Sequence, residues 1–149
     1  MSQALLETEM PELKLINKGK VRDIYEVEGK LLLVTSDRIS AFDVVFEQGI
    51  PGKGRVLNAL SLFWFDFFKD LIPNHVITAN VDEMPQSARA YKDQLEGRSL
   101  LVKKAKVFPV ECIARGYVVG SGWKDYQNTG AICGIELPKD LQLCSKLDT

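Results

Sequence analysis

The sequence has a single histidine, His75, and three cysteines, Cys112, Cys133 and Cys144. One histidine cannot build a multi-histidine metal site. Its setting, Asn74-His75-Val76-Ile77-Thr78, reads as a surface or strand-edge position with no catalytic role. The cysteines form an odd set without a Cys-x-x-Cys spacing. That argues against a disulfide framework or a zinc site, and for reduced thiols in a cytoplasm. Charge of one sign is also scarce: 19 basic and 20 acidic residues leave a formal net charge of −1. Nothing therefore drives the chain as a whole toward nucleic acid or an anionic membrane. The longest apolar tract, Leu60 to Phe68, is broken by Ser61 and Asp66 and is too short to cross a bilayer. The first ten residues carry Glu7 and Glu9 and lack the basic-then-apolar order of a secretory signal. Internal repeats and low-complexity segments are absent as well.

The 149 residues are 46% hydrophobic and 26% charged, the balance of an ordinary soluble globular protein. That length suits one domain, or one large lobe and the start of another. The pattern along the chain predicts an α+β fold. Residues 1–12 read as a flexible polar leader, and Leu13 to Ile16 as a first strand. Val21, Asp23, Tyr25 and Val27 share one face of an extended segment. Glu28-Gly29-Lys30 then turns it into a hairpin with Leu31 to Thr35. The unbroken apolar run of that return strand predicts cover on both of its faces. Val44 to Phe46 is a short strand, and Gln48 to Gly54 a glycine-rich loop.

Arg55 to Leu71 is the clearest helix, with Leu57, Leu60, Trp64, Phe67, Phe68 and Leu71 at three- and four-residue spacings. Phe63 and Phe65 widen the stripe, which predicts a helix sandwiched between layers. A base-stacking platform would need a basic groove, and only Lys69 is near. Pro73 stops the helix. His75 to Ala79 is β-like, Pro85 opens a short helix closed near Gly97, and Ser99 to Lys106 is a strand. Val107 to Arg115 is read as a further strand, with Glu111, Ile113 and Arg115 on one face and Val110, Cys112 and Ala114 on the other. Beyond it lie one or two helical turns at Trp123 to Asn128, then strand and loop.

Three stretches carry chemistry. An acid and a base on the strand Val107 to Arg115 must pair or meet a ligand. Gly120-Ser121-Gly122 then offers amides and a hydroxyl near Arg115, a combination suited to a phosphate. On residue types alone, a structural Glu–Arg pair before a flexible turn serves equally well. Lys18-Gly19-Lys20-x-Arg22 is a basic, glycine-bearing turn, either solvated or closing on a phosphate. It lacks the second glycine and Lys-Ser/Thr of a Walker A loop. Ser36-Asp37-Arg38-Ile39-Ser40-Ala41-Phe42-Asp43 is a polar cluster at a strand end, either an Asx-type turn or a ligand-binding edge.

Phe108-Pro109-Val110-Glu111-x-Ile113-x-Arg115, followed by Gly120-Ser121, resembles the signature of the SAICAR synthetase family, the phosphoribosylaminoimidazole-succinocarboxamide synthases. Val119 stands where that family usually has Ala or Thr, an apolar exchange beside the turn. The likeness runs from about Lys18 to the end of the chain. It implies a kinase small-lobe or ATP-grasp-like N-terminal lobe over residues 13–109, and the start of a second lobe over 110–149. In the family, the stretch matching Gly19 to Tyr25 is the ATP-phosphate loop. Gly19, Lys20 and Arg22 become phosphate contacts, the backbone of the hinge around Lys106-Val107-Phe108 reads adenine, and Lys104 and Val107 are implied as further ATP contacts. Asp37 and Ser40 fall on the substrate side. Arg115, Gly120 and Ser121 fall at the ribonucleotide phosphate, with Glu111 orienting Arg115 or the local backbone.

The implied reaction joins L-aspartate to carboxyaminoimidazole ribonucleotide with ATP and Mg²⁺. The catalytic and metal-binding residues of the family lie downstream, so no metal ligand is assigned within this chain. A fragment inactive on its own is the expectation, with homo-oligomerisation left open. The competing readings are a nucleotide- or phosphate-binding module without ligase activity, and a small-molecule kinase. The kinase reading lacks a His-Arg-Asp run.

Overall fold

The computed structural model describes residues 3–147. The chain divides into two compact units, Met1–Lys106 and Val107–Thr149.

The first unit is built on a five-stranded antiparallel sheet. Its strands are β1 (Lys14–Lys18), β2 (Arg22–Val27), β3 (Lys30–Thr35), β6 (Val76–Thr78) and β7 (Ser99–Val102), in the order β1-β2-β3-β7-β6. A separate hairpin pairs β4 (Arg38–Ala41) with β5 (Val44–Gly49). The β2–β3 register runs from Arg22 opposite Thr35 to Val27 opposite Lys30. Glu28 and Gly29 both have positive φ at its tip, the two-residue turn whose twist matches the strands.

Asp23, Tyr25 and Val27 are buried together, as the alternation predicts. Tyr25, Val27, Leu32, Val34 and Leu101 form the core with Met10, Leu13, Val81, Met84, Ala88 and Leu95. Each large apolar side chain buried there contributes about 1.5–3 kcal/mol. Leu31 and Leu33, on the other face of β3, are only half-buried, so that face is partly covered.

Several local expectations are corrected. Within residues 3–12, read as a leader, the chain packs onto the first unit. Met10 is 3% exposed, the Leu13 amide closes a turn onto the Met10 carbonyl (3.0 Å), and the Glu9 amide bonds Gln94 Oε1 (2.8 Å). Residues 1 and 2 of the expected leader lie outside the described residues. The expected helix after Pro85 is two short ones, α2 (Gln86–Arg89) and α3 (Lys92–Leu95), joined at Ala90 and Tyr91.

The long helix α1 is present at Lys53–Phe67, but it is not sandwiched. Only Gly54 and Asn58 are buried on it, while Phe63, Trp64 and Phe67 are at least half exposed. The core face of the sheet is filled instead by the N-terminal segment and residues 81–95. Gly54 lets α1 approach β3, since a Cβ there would run into the Thr35 carbonyl oxygen.

The second unit contains α4 (Gly120–Thr129) and a small hairpin of β8 (Ala131–Ile132) and β9 (Ile135–Glu136). Tyr126 anchors it: its hydroxyl donates to the Pro138 carbonyl (2.5 Å) and accepts from the Leu141 amide (3.1 Å). Val107 to Arg115 has no strand structure, contrary to expectation. Among the described residues no neighbouring strand pairs with it, so its backbone stays solvated despite strand-like alternation. Among the described residues, no helix is long and apolar enough to cross a membrane.

Candidate functional site

The turn between β1 and β2 is held from beneath. The Gly19 amide donates to the Arg22 carbonyl (2.8 Å), and a Cβ at Gly19 would lie 3.0 Å from that oxygen. Arg38, 6% exposed, spreads its guanidinium under the turn. Its Nη2 donates to the Gly19 carbonyl (2.9 Å) and Asp23 Oδ1 (2.6 Å). Its Nε donates to the Lys20 carbonyl (3.2 Å). Its Nη1 donates to the Leu6 carbonyl (2.6 Å) and Asp23 Oδ2 (3.2 Å). Ser36 adds its amide and its hydroxyl to the Val21 carbonyl, each at 3.0 Å.

The turn's carbonyls are thus occupied, whereas the Lys20 and Val21 amides make no hydrogen bond among the described residues. Lys20 and Arg22 project outward. Lys20 pairs with Asp43, and Lys18 with Glu7 at 2.7 Å. Each lysine, through its hydrogen bond and then its charge, holds its partner carboxyl below the usual range. A phosphate arriving at Lys20 competes with a solvated ion pair, which is weak.

Asp43 and Phe42 form the tip of the β4–β5 hairpin, with φ of 66° and 49°. Ser40 is half-buried on β4 opposite Val45. Asp37, expected on the substrate side, lies inside the first unit. Its carboxylate is fully buried and accepts from the Leu5 amide (2.9 Å), the Gly54 amide (2.8 Å) and Arg98 Nη1 (2.9 Å). Burial pushes its pKa up, but the Arg98 bond and the two amides outweigh burial, and the net shift is downward. With no exposed surface and three donors, this carboxylate ties the N-terminal segment, the start of α1 and Arg98 together.

Lys104 lies far from the turn along β2, bonded to Glu26 Oε1 (3.2 Å), which Lys14 also reaches (3.3 Å). Glu26 is four residues from Arg22, about 13 Å along a strand. Beside Lys104, an open groove of about 900 Å³ is lined by Trp64, Phe65, Phe68, His75, Lys103 and Ala105. Val107 is exposed at the start of the second unit.

Within the second unit, Arg115 and Gly120 come together. A Cβ on Gly120 would meet the guanidinium at 3.5–3.7 Å. Gly120 opens α4, whose Val119 cap supplies no side-chain hydrogen bond, and Ser121 follows in the first turn. Arg115, Tyr117, Val119 and Cys144 line a cavity of about 440 Å³ here. A cation beside a helix start with uncapped amides suits an anion. Glu111 makes no ion pair with Arg115 among the described residues. Among the described residues, no three His, Cys, Asp or Glu side chains gather as a metal site.

Arg38, Asp23 and Arg98 were not singled out from sequence. The available signal was Asp23, an acid on the same inward face as Tyr25 and Val27, which must find a cation.

Comparisons with known proteins settle the family. The SAICAR synthetase family model matches residues 15–149. The chain belongs to the SAICAR synthetase family. It is 60% identical over 147 residues to the phosphoribosylaminoimidazole-succinocarboxamide synthase of Thermodesulfovibrio yellowstonii, covering 99% of this chain and 50% of that protein. It is 58% identical over 149 residues to that of Maridesulfovibrio salexigens, with the same shares covered. Two solved structures of SAICAR synthases superpose over 95% of the chain. One has a TM-score of 0.87 at 46% identity, covering 51% of its length. The other, from Saccharomyces cerevisiae in complex with SAICAR, has a TM-score of 0.86 at 44% identity, covering 50%. This member of the SAICAR synthetase family therefore spans about half the length of the curated relatives it matches.

Proposed function

We propose that this chain supplies the ATP-phosphate grip and the ribonucleotide-phosphate grip of a SAICAR synthetase acting in a cytoplasm. The reaction joins L-aspartate to carboxyaminoimidazole ribonucleotide, giving the succinocarboxamide, ADP and phosphate through an acyl phosphate. The observation that carries this reading is the pairing of Arg115 with the uncapped start of α4 in a chain 60% identical to a named synthase.

In the first unit, the antiparallel sheet is assigned the part of a kinase-like small lobe. Its β1–β2 turn lies over the phosphates and its Lys104 end over adenine. The outward amides of Lys20 and Val21, with the Lys20 and Arg22 side chains, fit a triphosphate. Lys20 exchanges Asp43 for phosphate oxygen, and cations there offset charge that grows on the transferring group. Mg²⁺ neutralises phosphate charge when bound with ATP. The described residues offer it no carboxylate cluster, so none is assigned as its ligand. In the second unit, Arg115 binds the ribonucleotide phosphate in a forked contact, and Ser121 Oγ donates to it. Ser40 stays on the substrate side, while Asp37 acts only by fixing the start of α1.

Calorimetric titration with the imidazole ribonucleotide tests the reading. Arg115→Ala should weaken binding about 10- to 100-fold, the worth of a hydrogen bond to a charged group. A protein that binds ATP and ignores the ribonucleotide is a nucleotide module, and the ligase assignment fails.

A further inference from the structure

We infer that Arg38 is the positioning residue of the β1–β2 turn, and that with Asp23 it sets the geometry in which the turn meets a nucleoside triphosphate. This rests on the phosphate-grip reading of that turn. All five guanidinium N–H groups are used: two on Asp23, and one each on the carbonyls of Gly19, Lys20 and Leu6. No other side chain bonds the Gly19 or Lys20 carbonyl among the described residues. Drawing both carbonyls inward leaves the outer surface of the turn to amides and to the side chains of Lys20 and Arg22. With the carbonyls released, the same turn would present acceptors to a polyanion and repel it.

Asp23 is 1% exposed, and its bond to Arg38 fixes the plane of the fork. Thr8 Oγ1 donates to Asp23 Oδ2 (3.0 Å), so the N-terminal segment completes the network. A lysine has three donors on one atom and no planar fork, so it cannot reach the same set. Arg38 itself touches no ligand in this arrangement. Its effect passes through the backbone.

The test uses Arg38→Lys, and Asp23→Leu combined with Arg38→Met. The double variant removes both charges, so no unpaired charge is left buried. Hydrogen exchange of the Gly19 amide reads the turn, and calorimetry with ATP and Mg²⁺ reads the grip. Thermal melting confirms that each variant is folded. The expected result is faster Gly19 exchange and at least tenfold weaker ATP binding in both variants, with ribonucleotide binding unchanged. Unaltered exchange, or faster exchange with unchanged ATP affinity, overturns the positioning role. An unsubstituted chain that binds no ATP overturns the phosphate-grip reading first, and the inference falls with it, even if exchange responds.

Discussion

Among single residues, the buried carboxylates decide most. Asp37 joins three distant parts of the chain, Leu5, Gly54 and Arg98. Asp37→Ala would leave Arg98, itself 6% exposed, as an uncompensated buried charge, at a cost of about 3–5 kcal/mol. Urea unfolding of the two proteins measures it. The acid limb carries a further signature. The folded pKa of Asp37 is depressed. Its contribution is therefore complete above the unfolded-state pKa and is lost as pH falls through the folded one. Asp37→Asn should flatten the fall in stability between about pH 4, the unfolded carboxylate value, and lower pH. An unchanged acid limb would show that Asp37 is not the group responsible. None of this was legible in sequence, because Arg98 lies 61 residues from Asp37 and local pattern carries no information about such partners.

For whole elements, sequence was a good guide to type and a poor one to surroundings. The β2–β3 hairpin was readable because alternation and the Glu28-Gly29 turn are local properties. The position of α1 was readable because its apolar residues recur at helical spacing. Its burial was not, since a stripe says which face is apolar but not what covers it. Val107 to Arg115 failed for a related reason: alternation permits a strand, and a paired neighbour makes one. Two predictions belong here. Gly54→Ala, which in an open helix would gain about 1 kcal/mol, should instead destabilise by at least 1–3 kcal/mol, because Cβ would press into the Thr35 carbonyl. Phe63→Gln with Phe67→Gln should change the stability of this chain by no more than about 0.5 kcal/mol each, since both rings are exposed. Denaturant midpoints distinguish the two outcomes. A large loss at Phe63 and Phe67 would place them in a core.

In the molecule as a whole, the two proposed anion grips fall in different units, with one tryptophan in each. Trp64 lines the groove beside Lys104, and Trp123 lies in the first turn of α4, stacked on Tyr126 at 5.5 Å. Two grips for two different phosphates should respond to two different ligands. In a Trp123→Phe protein, the remaining Trp64 emission should change on adding ATP with Mg²⁺ and stay flat with the ribonucleotide. In a Trp64→Phe protein, Trp123 should answer the ribonucleotide, because a phosphate held by Arg115 sits at the start of the helix that carries it. Arg115→Ala should abolish the second response and leave the first intact, since the proposal gives Arg115 to the ribonucleotide phosphate alone. If Arg115→Ala instead removed the ATP response, or if both ligands moved Trp64 alone, the charge at 115 would belong to the nucleotide. The assignment of separate grips to separate units would then be wrong.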